Sequence, residues 1–118
     1  MTKACDVLVV DDYDGMRVTL CDLLSDLGLV VETADSGREC LAMIEKIRPR
    51  VILLDMAMND MDGTDVLDVM RDNPALATIN VIRMSGSARW RYVELPKPFS
   101  IEELFQALTP FVPGIARA

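Results

Sequence analysis

The order of apolar and polar positions along the chain predicts alternating strands and helices. Continuous apolar runs within residues 6–10 and 51–55 are typical of strands that are buried on both faces. Residues 29–34, 79–85 and 91–95 are predicted as three further strands. Between and after the strands, apolar residues three and four positions apart predict helices over 13–27, 36–47 and 64–71, and from Ser100 onward.

Residues that start or stop helices support these boundaries. Gly28 is expected to stop the first helix, and Pro49 lies just beyond the second. Ser36 with Glu39, and Ser100 with Glu103, have the spacing of capping boxes. The apolar face of the last helix is predicted to consist of Leu104, Ala107, Leu108 and Phe111.

Strands that alternate with helices over short links indicate an α/β fold with a parallel sheet. At 118 residues the chain is expected to form one domain, residues 1–118. The longest apolar runs are too short to cross a bilayer, and residues 1–6 lack the apolar segment of a secretory signal. These features predict a cytoplasmic protein with no membrane partner.

Composition excludes several kinds of function. A formal charge of −7 argues against nucleic acid as a direct partner, because phosphates bind to positive surfaces. The chain has no histidine, which excludes any mechanism that needs a histidine of its own. The cysteines Cys5, Cys21 and Cys40 are odd in number and lack CxxC spacing, so we expect reduced packing residues.

Chemistry-bearing residues gather where the predicted strands end: Asp11, Asp12, Asp55, Ser85 and Lys97. Taken singly, an aspartate or serine after a strand is more often a helix cap, and a lone lysine is usually solvated. In a parallel sheet, however, all five fall on one edge. Three neighbouring carboxylates repel, and a hard divalent cation such as Mg²⁺ relieves this. One carboxylate oxygen then remains available as a nucleophile for phosphoryl transfer.

Four segments, "VVDD" (9–12), "LLDMAMNDMDG" (53–63), "MSG" (84–86) and "LPKPF" (95–99), resemble the receiver domain of bacterial two-component response regulators. The resemblance implies a doubly wound, flavodoxin-like fold with five parallel strands in the order 2-1-3-4-5 and helices on both faces. It also implies a signal-transduction phosphoprotein that forms an aspartyl phosphate, either as a switch or as a phosphorelay intermediate.

The same resemblance implies roles for individual residues. Asp55 would accept a phosphoryl group from a phosphohistidine on a histidine kinase or histidine phosphotransferase. Asp12, Asp55 and the backbone carbonyl of Ala57 would bind Mg²⁺, with Mn²⁺ as a substitute, and Asp11 would assist through a water molecule. Ser85 and Lys97 would bind phosphoryl oxygens, and the Lys97–Pro98 bond would be cis. Ala57 and Ser87 would tune dephosphorylation by controlling access of water.

Three departures from the family pattern stand out. Asn59 occupies a position that is usually proline, for which we expect a looser loop. Glu94 occupies the position of an aromatic switch residue, and Tyr92 is a weak candidate to replace it. Residues 86–91 leave too little chain for a helical crossover, so the fourth helix of the fold is expected to be largely absent.

Residues in and near the short link allow two interpretations. Arg89, Trp90, Arg91 and Tyr92 form either a partner-binding surface or, for Trp90, a cover over the core that the missing helix leaves open. Met56, Met58 and Met61 around the acceptor loop are interpreted as packing residues.

The sequence therefore predicts a phosphoacceptor that signals through contact with a downstream protein of unknown identity. Homodimerisation stays open. Catalysis would be limited to Mg²⁺-dependent self-phosphorylation and self-dephosphorylation, without turnover of an external substrate. The alternative is a receiver-like binding module that acts without phosphorylation. A flavodoxin-like electron carrier is disfavoured because residues 11–15 would repel a flavin phosphate, and a turnover phosphatase because Ala57 replaces a second carboxylate.

Overall fold

Five parallel strands form one sheet in the order β2-β1-β3-β4-β5, which confirms the predicted topology. The structure is a computed structural model that describes residues 5–87 and 93–113. Its elements are β1 (Val7–Val10), α1 (Asp14–Asp26), β2 (Val31–Ala34), α2 (Gly37–Ile47), β3 (Val51–Asp55), α3 (Gly63–Arg71), β4 (Asn80–Ser85), β5 (Leu95–Pro96) and α4 (Ile101–Leu108).

The central strands are apolar throughout because helices cover both faces of the sheet. Alternate residues of a strand point to opposite faces. Val9 and Leu53 therefore pack with α1 and α4 in one hydrophobic cluster. Val10 and Leu54 pack with α2 and α3 in the other. All nine residues of β1 and β3 are buried, as their continuous apolar runs predict.

The observed helix ends agree closely with the predicted ones. Gly28 has φ 88°, a left-handed conformation that glycine adopts without strain, and α1 ends just before it. Ser100 Oγ accepts from Glu103 N at 3.0 Å and Glu103 Oε1 accepts from Ser100 N at 2.8 Å, which confirms that capping box. At α2 only half of the predicted box forms, because Glu39 Oε1 accepts from Asp35 N instead.

The prediction of a strand over residues 91–95 is confirmed at Leu95 and wrong at residues 93 and 94. β5 begins at Leu95 and contains two residues, which pair with Met84 and Ser85. Val93 and Glu94 precede it without strand pairing. No helix occurs among the described residues of the link, which are 86–87 and 93–94. Arg89, Trp90, Arg91 and Tyr92 lie outside the described residues, so the interpretations of them stay predictions.

The cysteines behave as the sequence predicts. All three are free thiols, and Cys5 and Cys40 are buried. Burial raises the pKa of Cys5 to about 11 and that of Cys40 to about 12, so both thiols stay protonated and pack as small apolar groups. Over the part of the chain that is described, no helix is long and apolar enough to cross a membrane.

Candidate functional site

The carboxyl ends of four neighbouring strands bring the predicted polar residues together. Asp11 follows β1, Asp55 ends β3, Ser85 ends β4, and Lys97 follows β5. Asp11, Asp55 and Ser85 are buried. Asp11, Asp12 and Asp55 each offer a carboxylate oxygen, and these atoms lie within 4.8 Å of one another. The parallel topology thus produces the acidic cluster that the sequence predicts.

Lys97 links two of these carboxylates. Its Nζ donates to Asp11 Oδ2 at 2.7 Å and lies 3.6 Å from Asp55 Oδ2. The other oxygen of Asp11 accepts from the backbone N–H of Tyr13 at 3.0 Å. Each oxygen of Asp11 therefore accepts one hydrogen bond, and Oδ2 holds the lysine ammonium beside Asp55.

The negative charge of Asp55 is only partly offset by its neighbours. Burial raises its pKa to about 6; the Ala57 N–H and Lys97 oppose this rise, and the charge of Asp11 adds to it. The Ala57 N–H donates to Asp55 Oδ1 at 3.1 Å, which fixes the orientation of the carboxylate. With Asp12, the cluster has three carboxylates and one ammonium, so a divalent cation would balance its charge. Carboxylate oxygens are the hard ligands that Mg²⁺ prefers, and the residues therefore fit this ion.

The loop after β3 is held at two points, which differs from the expected looser loop. The backbone N–H of Asn59 donates to Asp12 Oδ2 at 3.0 Å. The carboxylate of Asp60 accepts from Gly37 N at 3.1 Å and Arg38 N at 3.0 Å, at the start of α2. Because asparagine retains an N–H that proline lacks, the departure at position 59 adds a bond to the site instead of removing order.

Ser85 and Lys97 are joined through the backbone. Lys97 N donates to Ser85 O at 2.8 Å, as the next step of the ladder between β4 and β5. The hydroxyl oxygen of Ser85 accepts from Ser87 N at 3.0 Å. The Lys97–Pro98 bond is cis, as the resemblance implies. Ala57 and Ser87 are both exposed.

The methionines around this loop pack as predicted. Met56 and Met58 are buried, and Met61 is half-buried against the same hydrophobic cluster as α2 and α3. Close packing extends to Gly63, where an added Cβ would lie 2.9 Å from Met56 Cα. The side of the loop that faces the core therefore leaves little free space.

Two arginines near the site are absent from the sequence-based prediction. Arg17, from α1, donates through Nη1 to the backbone carbonyl of Asp11 at 2.7 Å, and its side chain is largely buried. Arg83, from β4, forms a two-point ion pair with Glu94, with Nε–Oε1 at 3.0 Å and Nη2–Oε2 at 2.6 Å. The available signal for the second pair is the opposite charge of Arg83 in β4 and of Glu94 just before β5, but using it requires the strand register.

Comparison with known proteins places these features in one family. A family model for the response regulator receiver domain matches residues 7–109. Protein PilG of Pseudomonas aeruginosa is 35% identical over an alignment of 118 positions, which covers 92% of this chain and 87% of PilG. Response regulator MprA of Mycolicibacterium vanbaalenii is 37% identical over 106 residues, covering 83% of this chain and 46% of MprA. The chain thus spans about half the length of MprA.

Solved structures agree with the sequence relatives. The chemotaxis response regulator CheY4 of Vibrio cholerae superposes with a TM-score of 0.80 at 28% identity, covering 92% of this chain and 99% of CheY4. TrrA of Thermotoga maritima, solved in complex with Mg(2+)-BeF, has a TM-score of 0.79 at 23% identity, covering 91% of this chain and 98% of TrrA. The second likeness shows a shared fold.

Proposed function

The chain belongs to the family of response regulator receiver domains, and from this premise we propose that Asp55 accepts a phosphoryl group from a phosphohistidine. The donor is a histidine kinase or a histidine phosphotransferase. The observation that carries the proposal is the cluster itself: Asp55 lies within reach of Asp11 and Asp12, with Lys97 Nζ 3.6 Å from its Oδ2.

The contacts of Asp55 suit a nucleophile. Its Oδ1 is oriented by the Ala57 N–H, while Oδ2 lies toward Lys97. A carboxylate oxygen attacks phosphorus, a P–O bond forms, and the P–N bond to the donor imidazole breaks with its electron pair leaving on nitrogen. The Lys97 ammonium then neutralises a phosphoryl oxygen. Ser85 Oγ accepts from Ser87 N, so its hydroxyl hydrogen is left to donate to a second phosphoryl oxygen.

A divalent cation belongs to this proposal. Asp12, Asp55 and the backbone carbonyl of Ala57 would hold Mg²⁺, or Mn²⁺ in its place, with Asp11 assisting through a water molecule. When bound, the ion neutralises negative charge on the carboxylates and on the transferred group. The raised pKa of Asp55, caused first by burial, supports this need for a cation.

The exposed residues beside the site are proposed to control release of the phosphoryl group, and the signal is proposed to pass through protein contact. Exposed Ala57 and Ser87 are proposed to tune hydrolysis of the aspartyl phosphate by controlling the approach of water. Residues 1–118 are proposed to act as one receiver unit that signals by protein contact, since the charge of −7 disfavours nucleic acid. The free thiols support a cytoplasmic location.

The test is intact mass after incubation with acetyl phosphate and Mg²⁺. We expect one added phosphoryl mass on the wild type and on Asp68→Asn, which removes an exposed carboxylate of α3. Neither Asp55→Asn nor a sample with excess EDTA should gain it. A folded wild type that gains no mass, while a known receiver is labelled in the same tube, would contradict the proposal.

A second function is a receiver-like binding module that acts without phosphorylation. The observation that favours it is the ion pair of Glu94 with Arg83, which occupies the place of the family's aromatic switch residue. The same mass measurement separates the two functions, because this module would gain no phosphoryl mass while remaining folded.

A further inference from the structure

The carboxylate of Glu94 extends the pairing between β4 and β5. It accepts the backbone N–H of Arg83 at 2.8 Å, in addition to both guanidinium contacts. In a parallel sheet, an N–H on this side of β4 is ordinarily satisfied by a carbonyl of the neighbouring strand. Since β5 begins only at Leu95, the Glu94 side chain supplies the acceptor that the strand does not.

The position of Lys97 depends on a very short strand. Only Leu95 and Pro96 pair with β4, and Lys97 N donates to Ser85 O directly after them. Glu94 and Lys97 are three residue steps apart, which is about 10 Å of extended chain. The Arg83–Glu94 contacts therefore fix one end of a segment whose other end carries the site ammonium.

The contact is directional as well as electrostatic. Guanidinium and carboxylate planes meet at two points, which sets the separation and the relative angle of the two strands. Hydrogen bonding to Arg83 holds the pKa of Glu94 below its usual range, so the pair is ionised near neutral pH. Both side chains are about two-fifths exposed, on the face of β4 opposite to Met84 and α4.

We propose that Arg83 and Glu94 are positioning residues for Lys97, because their ion pair fixes the register of β5 on β4 and so holds Lys97 Nζ between Asp11 and Asp55. The functional part of this inference rests on the proposed role of Asp55. Its structural part does not.

Amide hydrogen exchange tests the structural part. In Arg83→Met we expect the Lys97 amide to exchange about fivefold faster or more, while amides of β1 and β3 keep their rates. Arg71→Met, which removes the exposed ion pair with Asp68 on α3, is the matched control and should leave Lys97 unchanged. An unchanged Lys97 amide in Arg83→Met would overturn the proposal, whether or not the protein is phosphorylated.

The rate of labelling by acetyl phosphate tests the functional part. Arg83→Met should slow labelling about fivefold, and Glu94→Gln should slow it less, because glutamine keeps an oxygen for the Arg83 N–H. In a Lys97→Met background, we expect the additional Arg83→Met change to alter the rate by less than about twofold. If Arg83→Met slowed labelling by the same factor in the wild type and in Lys97→Met, the pair would support the fold in general. That result would overturn the positioning role.

These outcomes separate failure of the inference from failure of the proposed function. A wild type that takes up no phosphoryl group contradicts the role of Asp55, and hydrogen exchange still decides the positioning of Lys97. A wild type that is labelled normally, with no response to Arg83→Met, contradicts the inference alone.

Discussion

Single residues at the site take roles that their side-chain chemistry alone does not indicate. Asn59 contributes through its backbone, since its N–H donates to Asp12 Oδ2 at 3.0 Å. A proline at this position has no donor, and Asp12 would lose this contact. The loop after Asp55 is therefore adapted to a non-proline residue.

Substitution of Asn59 tests this backbone role. Asn59→Pro should lower the free energy of unfolding of the metal-free protein by about 1 kcal/mol, because the N–H bond to a charged acceptor is lost. Asn59→Ala retains the N–H and serves as the matched control, with a much smaller change. Urea unfolding of both variants in EDTA measures the difference. Equal stability of the two variants would show that the bond contributes nothing.

The site residues show which parts of a site sequence can predict. Asp55 and Ser85 are each predictable because the polar residue that ends a predicted strand is visible in the sequence, and parallel topology sends these ends to one edge. The contact of Arg17 with the Asp11 carbonyl and the Arg83–Glu94 pair are different. They depend on the angle of a helix and on the register of a two-residue strand, which no local pattern specifies.

At the scale of elements, the loop after β3 acts as a bridge between the acidic cluster and α2. Asp60 places its carboxylate on the first N–H groups of α2, where the positive end of the helix dipole favours an anion. Slight burial would raise the pKa of Asp60, but the N–H donors of Arg38 and Gly37 outweigh it and hold this pKa below its usual value.

This bridge predicts a dependence on pH. A lowered pKa means that the contribution of Asp60 to stability is present above the unfolded-state pKa of about 4 and is lost as the pH falls through the folded-state value. Asp60→Asn should therefore cost about 0.5 kcal/mol of unfolding free energy at pH 7, and less at pH 3. Urea unfolding of both proteins across this range provides the measurement. A difference that is the same at both pH values would contradict the assignment.

The start of α3 is packed too closely to accept a larger residue. A Cβ on Gly63 would lie 2.9 Å from Met56 Cα, a backbone atom that cannot move aside, and closer still to its sulfur. Gly63→Ala should therefore cost about 1–3 kcal/mol of stability. At Gly15 the obstacle is the exposed ring of Tyr13, so Gly15→Ala should be neutral or favourable by up to about 1 kcal/mol. Thermal unfolding of the two variants gives the comparison, and a Gly63→Ala protein as stable as wild type would refute the clash.

Among the elements, the start of α4 is predicted accurately, although Phe111 of its predicted apolar face lies beyond its end at Leu108, and β5 is predicted least well. Ser100 and Glu103 mark the start of α4 through contacts only three residues apart, and Leu104 and Leu108 are buried as predicted. The predicted fifth strand, residues 91–95, also includes Val93 and Glu94. The strand instead begins at Leu95, and the Glu94 side chain accepts the Arg83 N–H that a longer strand would pair. Contacts between segments far apart in sequence are invisible to local patterns.

At the scale of the molecule, the acidic cluster lowers the stability of the fold. Asp55 is buried with a pKa raised to about 6, chiefly by desolvation, so its ionised form destabilises the fold in the absence of a cation. The pH dependence of this contribution to stability is opposite to that of Asp60. For an acid with a raised pKa, the folded state is favoured at low pH, and this advantage is lost as the pH rises through the folded-state value.

Removing this charge should raise stability, although the same substitution should abolish the proposed phosphorylation. In EDTA at pH 7, Asp55→Asn should raise the free energy of unfolding by about 1 kcal/mol. Millimolar Mg²⁺ should stabilise the wild type, because the proposed cation site exists only in the folded state, and should stabilise Asp55→Asn less. Thermal unfolding with EDTA or Mg²⁺ measures both effects, with Asp68→Asn as a surface control. A variant less stable than wild type in EDTA would count against the repulsive cluster.

Pro96 determines how the sheet ends on the β5 side. Successive N–H groups of a strand point to opposite sides, and Lys97 N points toward β4, so the position of Pro96 N is on the outer side. Proline has no N–H to donate on this side, and the strand is only two residues long. Along the described residues of this border, a strand from a second molecule would therefore find almost no template to extend, which disfavours edge-to-edge aggregation there. A partner that approaches from this side has to recognise side chains, not backbone.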